Sequence, residues 1–434
     1  MKKILISMAM LLSVGTIWGQ VDKAALKQLQ KEAKAQMAEA QKINEAITAK
    51  INEKTASEDE IISECKKGQA LIRKAIKSGG IPENKLGEAY KISADFALQP
   101  HNILLKHAVD KVPFDTAFFY TNLKLMTDAL QGELQHTKVT KGDTGNEHYL
   151  KSKAYNLAQC GDYYIYAAQF NSESGQYDKA LEAFDIAMNY TKKYPEVADQ
   201  AKLRITNEQI AYYAYHTAHE AKNYGKMDEL YEQALGFADG ALGTKQVRAA
   251  SYLERGDSTA WANYVRDLTL AEPTTSEDFI QMLIGYYLKK DKETGTDQMM
   301  PYVDEILAKE PNILIAQYGK AYKLFESEKY DEAFEAYKKC TEIKSDYYDA
   351  WYQCGLCKYR KALALNATVS SIKNQTEAKK ALENTKNLFG EAIPFFEKAR
   401  ECAPDEPQKW AFELRQCYSV TGQAAKAAEM DKLL

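Results

Sequence analysis

Trp351-Tyr-Gln-Cys354-Gly355 is answered, after a long interval, by Ala392-Ile-Pro-Phe-Phe396, then Ala399 and Pro404. A ring, a glycine about a turn later, an alanine, another ring and a closing proline recur in that order elsewhere. Tyr318-Gly319-Lys-Ala-Tyr322 precedes Tyr330, Ala333 and Tyr337, and Gly175-Gln-Tyr177-Asp-Lys-Ala180 leads to Phe184 and Ala187. Leu414, Tyr418, Gly422 and Ala427 follow at successive spacings of four, four and five. Two antiparallel helices approach closely only where small residues face each other, with large residues filling the space at neighbouring turns. A proline after the second helix cannot continue it and biases the preceding residue away from helical angles. Pro273, Pro311 and Pro404 stand at that point.

Weaker copies fill the gaps. Tyr252, Gly256, Trp261, Val265 and Leu268 keep the spacing with Trp in place of the small residue. Leu283, Tyr287, Met299, Val303 and Ile306 form another copy, with a longer turn expected around Gly295. A further pair is expected from Ala201 to Ala241, with Tyr212, Leu230 and Ala234 inward. Together these resemble the tetratricopeptide repeat (TPR), whose pattern runs Trp-x2-Leu-Gly-x2-Tyr, Ala-x3-Phe, Pro. The resemblance implies an all-α fold: a right-handed superhelical array of helix-turn-helix hairpins, about seven of them over residues 150–434. One copy carries roughly 25 extra residues, at 361–387, which predicts two lengthened helices projecting on the order of 15–20 Å.

Composition agrees with helix. The 434 residues include only ten prolines and 22 glycines, and the formal charge is −4. Basic and acidic residues are interleaved, which argues against a nucleic-acid tract or a polybasic membrane patch. Lys2 and Lys3, the apolar run Ile4–Val14 and the small residues Gly15 and Gly19 have the layout of a secretory signal peptide over 1–19, cleaved after Gly19. The first cysteine is Cys65, so no thiol stands near that site for a lipid anchor. With the repeats, this layout resembles a TPR protein of the bacterial cell envelope, exported and extracytoplasmic.

Before the repeats, residues 20–56 hold an amphipathic helix with Leu26, Leu29, Ala33, Met37, Ala40, Ile43, Ile47 and Ile51 on one stripe. The stripe leaves three uses open: packing on its own chain, pairing with a partner helix, or self-association. Residues 57–149 read as a helical region with a degenerate repeat. Ser57-x-x-Glu60 is a capping box, and Gly79-Gly80 is a stop. Leu86-Gly87-x2-Tyr90 is half a repeat with no second helix evident; Phe114–Leu134 is another helix, and His136–His148 a loop.

No catalytic constellation is found: no His-Glu-x-x-His, no Gly-x-Ser-x-Gly, no phosphate-binding glycine loop. His216, His219 and Glu220 share a helix face, yet two histidines without a further ligand make a poor zinc site. Cys354-Gly-Leu-Cys357 has redox spacing, but both cysteines fall on packing positions inside a helix and read as small buried hydrophobes. Neither metal, cofactor nor enzymatic activity is predicted.

In the resembled family the first helix of each hairpin lines a concave groove. Carried over by spacing, the groove candidates are Gln281, Leu288, Lys320, Lys323, Tyr352, Leu356, Tyr359, Arg360, Phe412 and Gln416. The expected function is a non-catalytic scaffold or adaptor that takes a protein or peptide ligand, not nucleic acid, and spans no membrane. The alternative is a glycan- or small-ligand-binding envelope protein, which the 29 tyrosines permit. A pocket closed by the N-terminal helices favours the second; an open groove favours the first.

Overall fold

The computed structural model describes residues 21–138, 143–272, 277–290 and 294–434. The expected signal segment at 1–19 and Pro273 lie outside the described residues. Among those described there are nineteen α-helices and no strand. The first four are α1 (Val21–Glu53), α2 (Glu58–Lys77), α3 (Glu83–Val109) and α4 (Thr116–His136). From Thr144 the helices come in consecutive pairs. They are α5 (Thr144–Glu173) with α6 (Tyr177–Met188), α8 (Asn207–Glu220) with α9 (Tyr224–Leu235), and α10 (Ala241–Glu254) with α11 (Ser258–Ala271). Next come α12 (Glu277–Lys290) with α13 (Thr294–Lys309), and α14 (Leu314–Glu326) with α15 (Tyr330–Ile343). The last are α16 (Tyr348–Val369) with α17 (Gln375–Cys402), and α18 (Ala411–Thr421) with α19 (Ala424–Asp431); α7 (Tyr190–Lys193) is a single turn. The chain is an all-α, TPR-like array of helical hairpins. It divides into two compact units between Arg248 and Ala249, within α10.

Local chemistry sets the helix ends. Ser57 Oγ accepts from the Glu60 amide at 3.2 Å, as the capping box requires, and Gly79 ends α2 with φ of 71°. The carboxylate of Asp257 accepts from the Ala260 amide at 2.9 Å to start α11. Asn374 accepts from the amides of Thr376 and Glu377 at 2.9 and 3.3 Å to start α17. Each such cap contributes on the order of 1 kcal/mol.

The repeat signature is explained at Gly355 on α16. A β-carbon there would lie 2.7 Å from the Phe396 ring of α17, so only glycine lets the ring seat fully. Phe396, Ala392 and Ala399 are all fully buried on that contact. Burying a Phe side chain stabilises by about 1.5–3 kcal/mol.

In the N-terminal unit one core runs from Ala94 on α3 to Ala234 on α9. A smaller one joins α1, α2 and α3 through Ala33, Ala40, Ile72 and Phe96. The stripe of α1 therefore packs on its own chain from Ala33 onward, while Leu26 and Leu29 stay exposed. Tyrosines serve as core: Tyr190 Oη donates to the Leu157 carbonyl at 2.5 Å, and Tyr194 Oη donates to Thr127 Oγ1 at 2.9 Å. The C-terminal unit holds three clusters, around Trp261 and Leu283, around Tyr337 and Cys354, and around Phe396 and Trp410.

Three local expectations are corrected. The half-repeat at Leu86–Tyr90 does have a second helix, α4, whose Gly132 lies against the Tyr90 ring. The loop expected to reach His148 is shorter, because Asp143 caps α5 by accepting from the Asn146 amide at 3.2 Å. Gly295 stands in the first turn of α13 rather than before it. The lengthened hairpin is present: α16 has 22 residues and α17 has 28, against 13 and 14 in the preceding pair.

Candidate partner-binding surface

Several of the candidate residues lie on α16 and α18, the first helices of the last two pairs. Tyr348, Tyr352, Leu356 and Tyr359 fall at helical spacing on one face of α16, and none of the four is fully exposed. The Tyr348 and Tyr352 rings stack at 5.7 Å, and Tyr352 meets the Phe396 ring at 5.5 Å. Tyr348 Oη donates to the Lys409 carbonyl at 2.7 Å, tying α16 to the segment that leads into α18. Lys409 Nζ lies 5.5 Å from the Tyr348 ring centroid. Burial first, and then the Glu413 carboxylate beside it, push the Tyr352 phenol well above its ordinary range.

Tyr359 is buried, its hydroxyl donating to the Gln416 side-chain Oε1 and its ring edge-on to Phe389 at 5.4 Å. These two candidates therefore join the helices to each other and offer little to a partner. Phe412 on α18 is 46% exposed, with the Arg415 guanidinium 5.7 Å from its ring centroid, and Arg360 is exposed on α16. The candidate patch is Tyr348, Tyr352, Leu356, Arg360 and Phe412, with Arg415 beside Phe412 but paired to Asp431 at 3.2 Å. Tyr348 and Arg415 were missed from sequence; Tyr348 sits four residues before Tyr352, a spacing that would have found it had the helix not been read as starting at Trp351.

The remaining candidates stand apart. Lys320 and Lys323 on α14 are paired with α13, to Asp304 at 2.9 Å and Asp297 at 2.6 Å, so neither waits for an acidic ligand. Gln281 is exposed on α12, and the Leu288 side chain lies outside the described residues.

All seven thiols are free, and all but Cys402 are buried. Burial pushes Cys354 up and Cys357 up to about 12, the reverse of what a redox pair needs. Among the described residues no group of His, Cys, Asp and Glu is placed to hold a metal, and no helix is long and apolar enough to cross a membrane.

A second concavity belongs to the N-terminal unit. A pocket of about 400 Å³ between α3 and α5 is lined by Asp95, Asn102, Asn156, Gln159 and the rings of Tyr155 and Tyr163, with His101 also on its wall. His101 is buried, and neither ring nitrogen has a hydrogen-bond partner.

No protein-family model matches the chain, and no curated protein matches it. Among solved structures, an IFIT1 monomeric mutant with Gppp-AAAA is similar at 17% identity and a TM-score of 0.33, over 82% of this chain and 74% of that one. A human IFIT1 dimer with m7Gppp-AAAA is similar at 17% identity and a TM-score of 0.31, over 82% and 73%. The TPR domain of P58(IPK) is similar at 13% identity and a TM-score of 0.28, over 89% and 99%. Superpositions this loose bear on no site or ligand.

Proposed function

We propose that this chain is an exported, non-catalytic scaffold that binds a partner protein through the first helices of its C-terminal hairpins. The observation that carries the reading is the patch on α16 and α18. There half-buried tyrosine rings, an exposed Phe412 and an exposed Arg360 lie on the first helices of the last two hairpins, with Arg415, paired to Asp431 at 3.2 Å, beside Phe412. Tyr and Arg give large contact areas at modest entropic cost, and such residues dominate binding energy at interfaces. The extracytoplasmic setting and the absence of nucleic acid among the partners are parts of the same proposal. The test is affinity capture of residues 20–434 from the native cell envelope, with cross-linking. A stoichiometric protein lost from both Tyr352→Ala and Phe412→Ala supports the reading; a catch unchanged by both removes it. Tyr359→Ala is a poor probe, because Tyr359 holds α16 to α18.

A second reading rests on the pocket between α3 and α5. Carboxamides, one carboxylate and two tyrosine rings are the groups that pair with hydroxyls and stack on sugar faces. Calorimetry with neutral oligosaccharides, against Asn156→Ala and Tyr155→Ala, decides it: heat that both variants abolish supports a glycan ligand, and no heat with any sugar removes it.

A further inference from the structure

We infer that the groove between α2 and α4 is a docking site for an acidic segment of a partner protein carrying one large apolar side chain. The inference concerns the N-terminal unit and stands independently of the α16–α18 surface. Lys66, Arg73, Lys74 and Lys77 fall on one face of α2 and line a groove of about 630 Å³. The opposite wall is Phe118 and Leu125 of α4, and the floor is Phe96 of α3.

Charge and partners both point outward. The lining holds four cations and no carboxylate. Among the described residues none of the four is in an ion pair. By contrast Lys67, one position along and outside the lining, pairs with Glu64 at 2.6 Å, and Lys124 on α4 pairs with Glu182 at 2.5 Å. Asp128 lines an adjoining cleft that shares Arg73 and Lys77, and it feels the charge of Arg73 there without pairing with it. Cations in a last helical turn offset the helix dipole, and that accounts for Lys74 and Lys77. It does not account for Lys66 and Arg73, which precede that turn.

The floor selects the occupant. Phe96 is buried, and Lys66 Nζ already covers the Phe118 ring at 3.8 Å, so neither ring offers an open face to a stacked base. A Leu or Phe side chain entering beside Leu125 needs only contact and exclusion of water. From Lys66 to Lys77 the cations cover about 16 Å of helix, the length of three helical turns or about five extended residues of a bound segment.

The test is fluorescence anisotropy on residues 20–434 with a labelled peptide of about twelve residues, glutamates flanking a central phenylalanine. Binding is expected to weaken with added salt. It should weaken at least about tenfold in Arg73→Glu/Lys77→Glu, and by a similar factor when glutamine replaces the peptide's glutamates. Lys67→Glu, outside the groove lining, should leave it unchanged, as should Phe412→Ala, which separates this site from the α16–α18 surface. Circular dichroism confirms that the charge-reversed variant is folded. The inference is overturned if the acidic peptide fails to bind, if its glutamine counterpart binds equally, or if charge reversal changes nothing. Tighter binding of a single-stranded oligonucleotide of equal charge, displacing the peptide, overturns it too.

Discussion

His101 lies between the Phe119 ring, at 5.2 Å, and the edge of Tyr163, at 4.7 Å. Burial pushes its pKa from about 6.5 down to about 4. The unfolded chain takes up a proton below about 6.5, whereas the folded chain does not until about pH 4. Stability is therefore full above the unfolded value and is lost as pH falls towards 4, by on the order of 3 kcal/mol. Urea titrations followed by circular dichroism at neutral and mildly acid pH should show that loss, and His101→Phe should remove most of it. A slope unaltered by the substitution would place the acid sensitivity elsewhere. The thiols give a second residue-scale prediction. In the native protein, iodoacetamide at mildly alkaline pH should label half-exposed Cys402 more than about tenfold faster than Cys354 or Cys357. Peptide mapping by mass spectrometry reads this directly, and equal labelling would mean that α16 opens at its Cys-x-x-Cys stretch.

Among elements, the lengthened hairpin makes the clearest prediction. Residues 366–380 at its tip are exposed or half-exposed, whereas Ala381 and Thr385 below them are buried. Replacing 366–380 with a short Gly/Asn turn should change the unfolding midpoint of the C-terminal unit by no more than about 0.5 kcal/mol equivalent. A drop of several kcal/mol would mean that the tip packs on something. The pairs from α5 onward were legible because close helix contact leaves a mark in residue type: Gly355 is small because Phe396 is large. The α3–α4 pair was not, since its small residue, Gly132, sits late in the second helix rather than early, where the pattern looks for alanine. Site residues divide the same way. The place of Tyr352 on one helix face with Leu356 followed from spacing, whereas the pairing of Lys320 and Lys323 depends on carboxylates on another helix. The basic groove was hidden altogether, because charges interleaved along α2 separate only once the helix is wound.

For the whole molecule, the division between Arg248 and Ala249 has a spectroscopic consequence. Beyond the expected signal segment the tryptophans are Trp261, Trp351 and Trp410, all in the C-terminal unit. Tryptophan fluorescence therefore follows that unit alone, while far-ultraviolet circular dichroism follows both. Arrays with neighbour-to-neighbour contacts lose all-or-none unfolding as they lengthen, so the two urea transitions should not coincide. Coincident curves would show that the units unfold as one. The same modularity casts the long α16–α17 hairpin in an evolutionary light. In a sheet, a residue gained in one strand shifts the pairing of the next; here each hairpin turns back on itself before its successor begins. Drift in length at 370–374 is thus hidden from the rest of the chain, and selection can act on the reach of this arm while leaving folding alone.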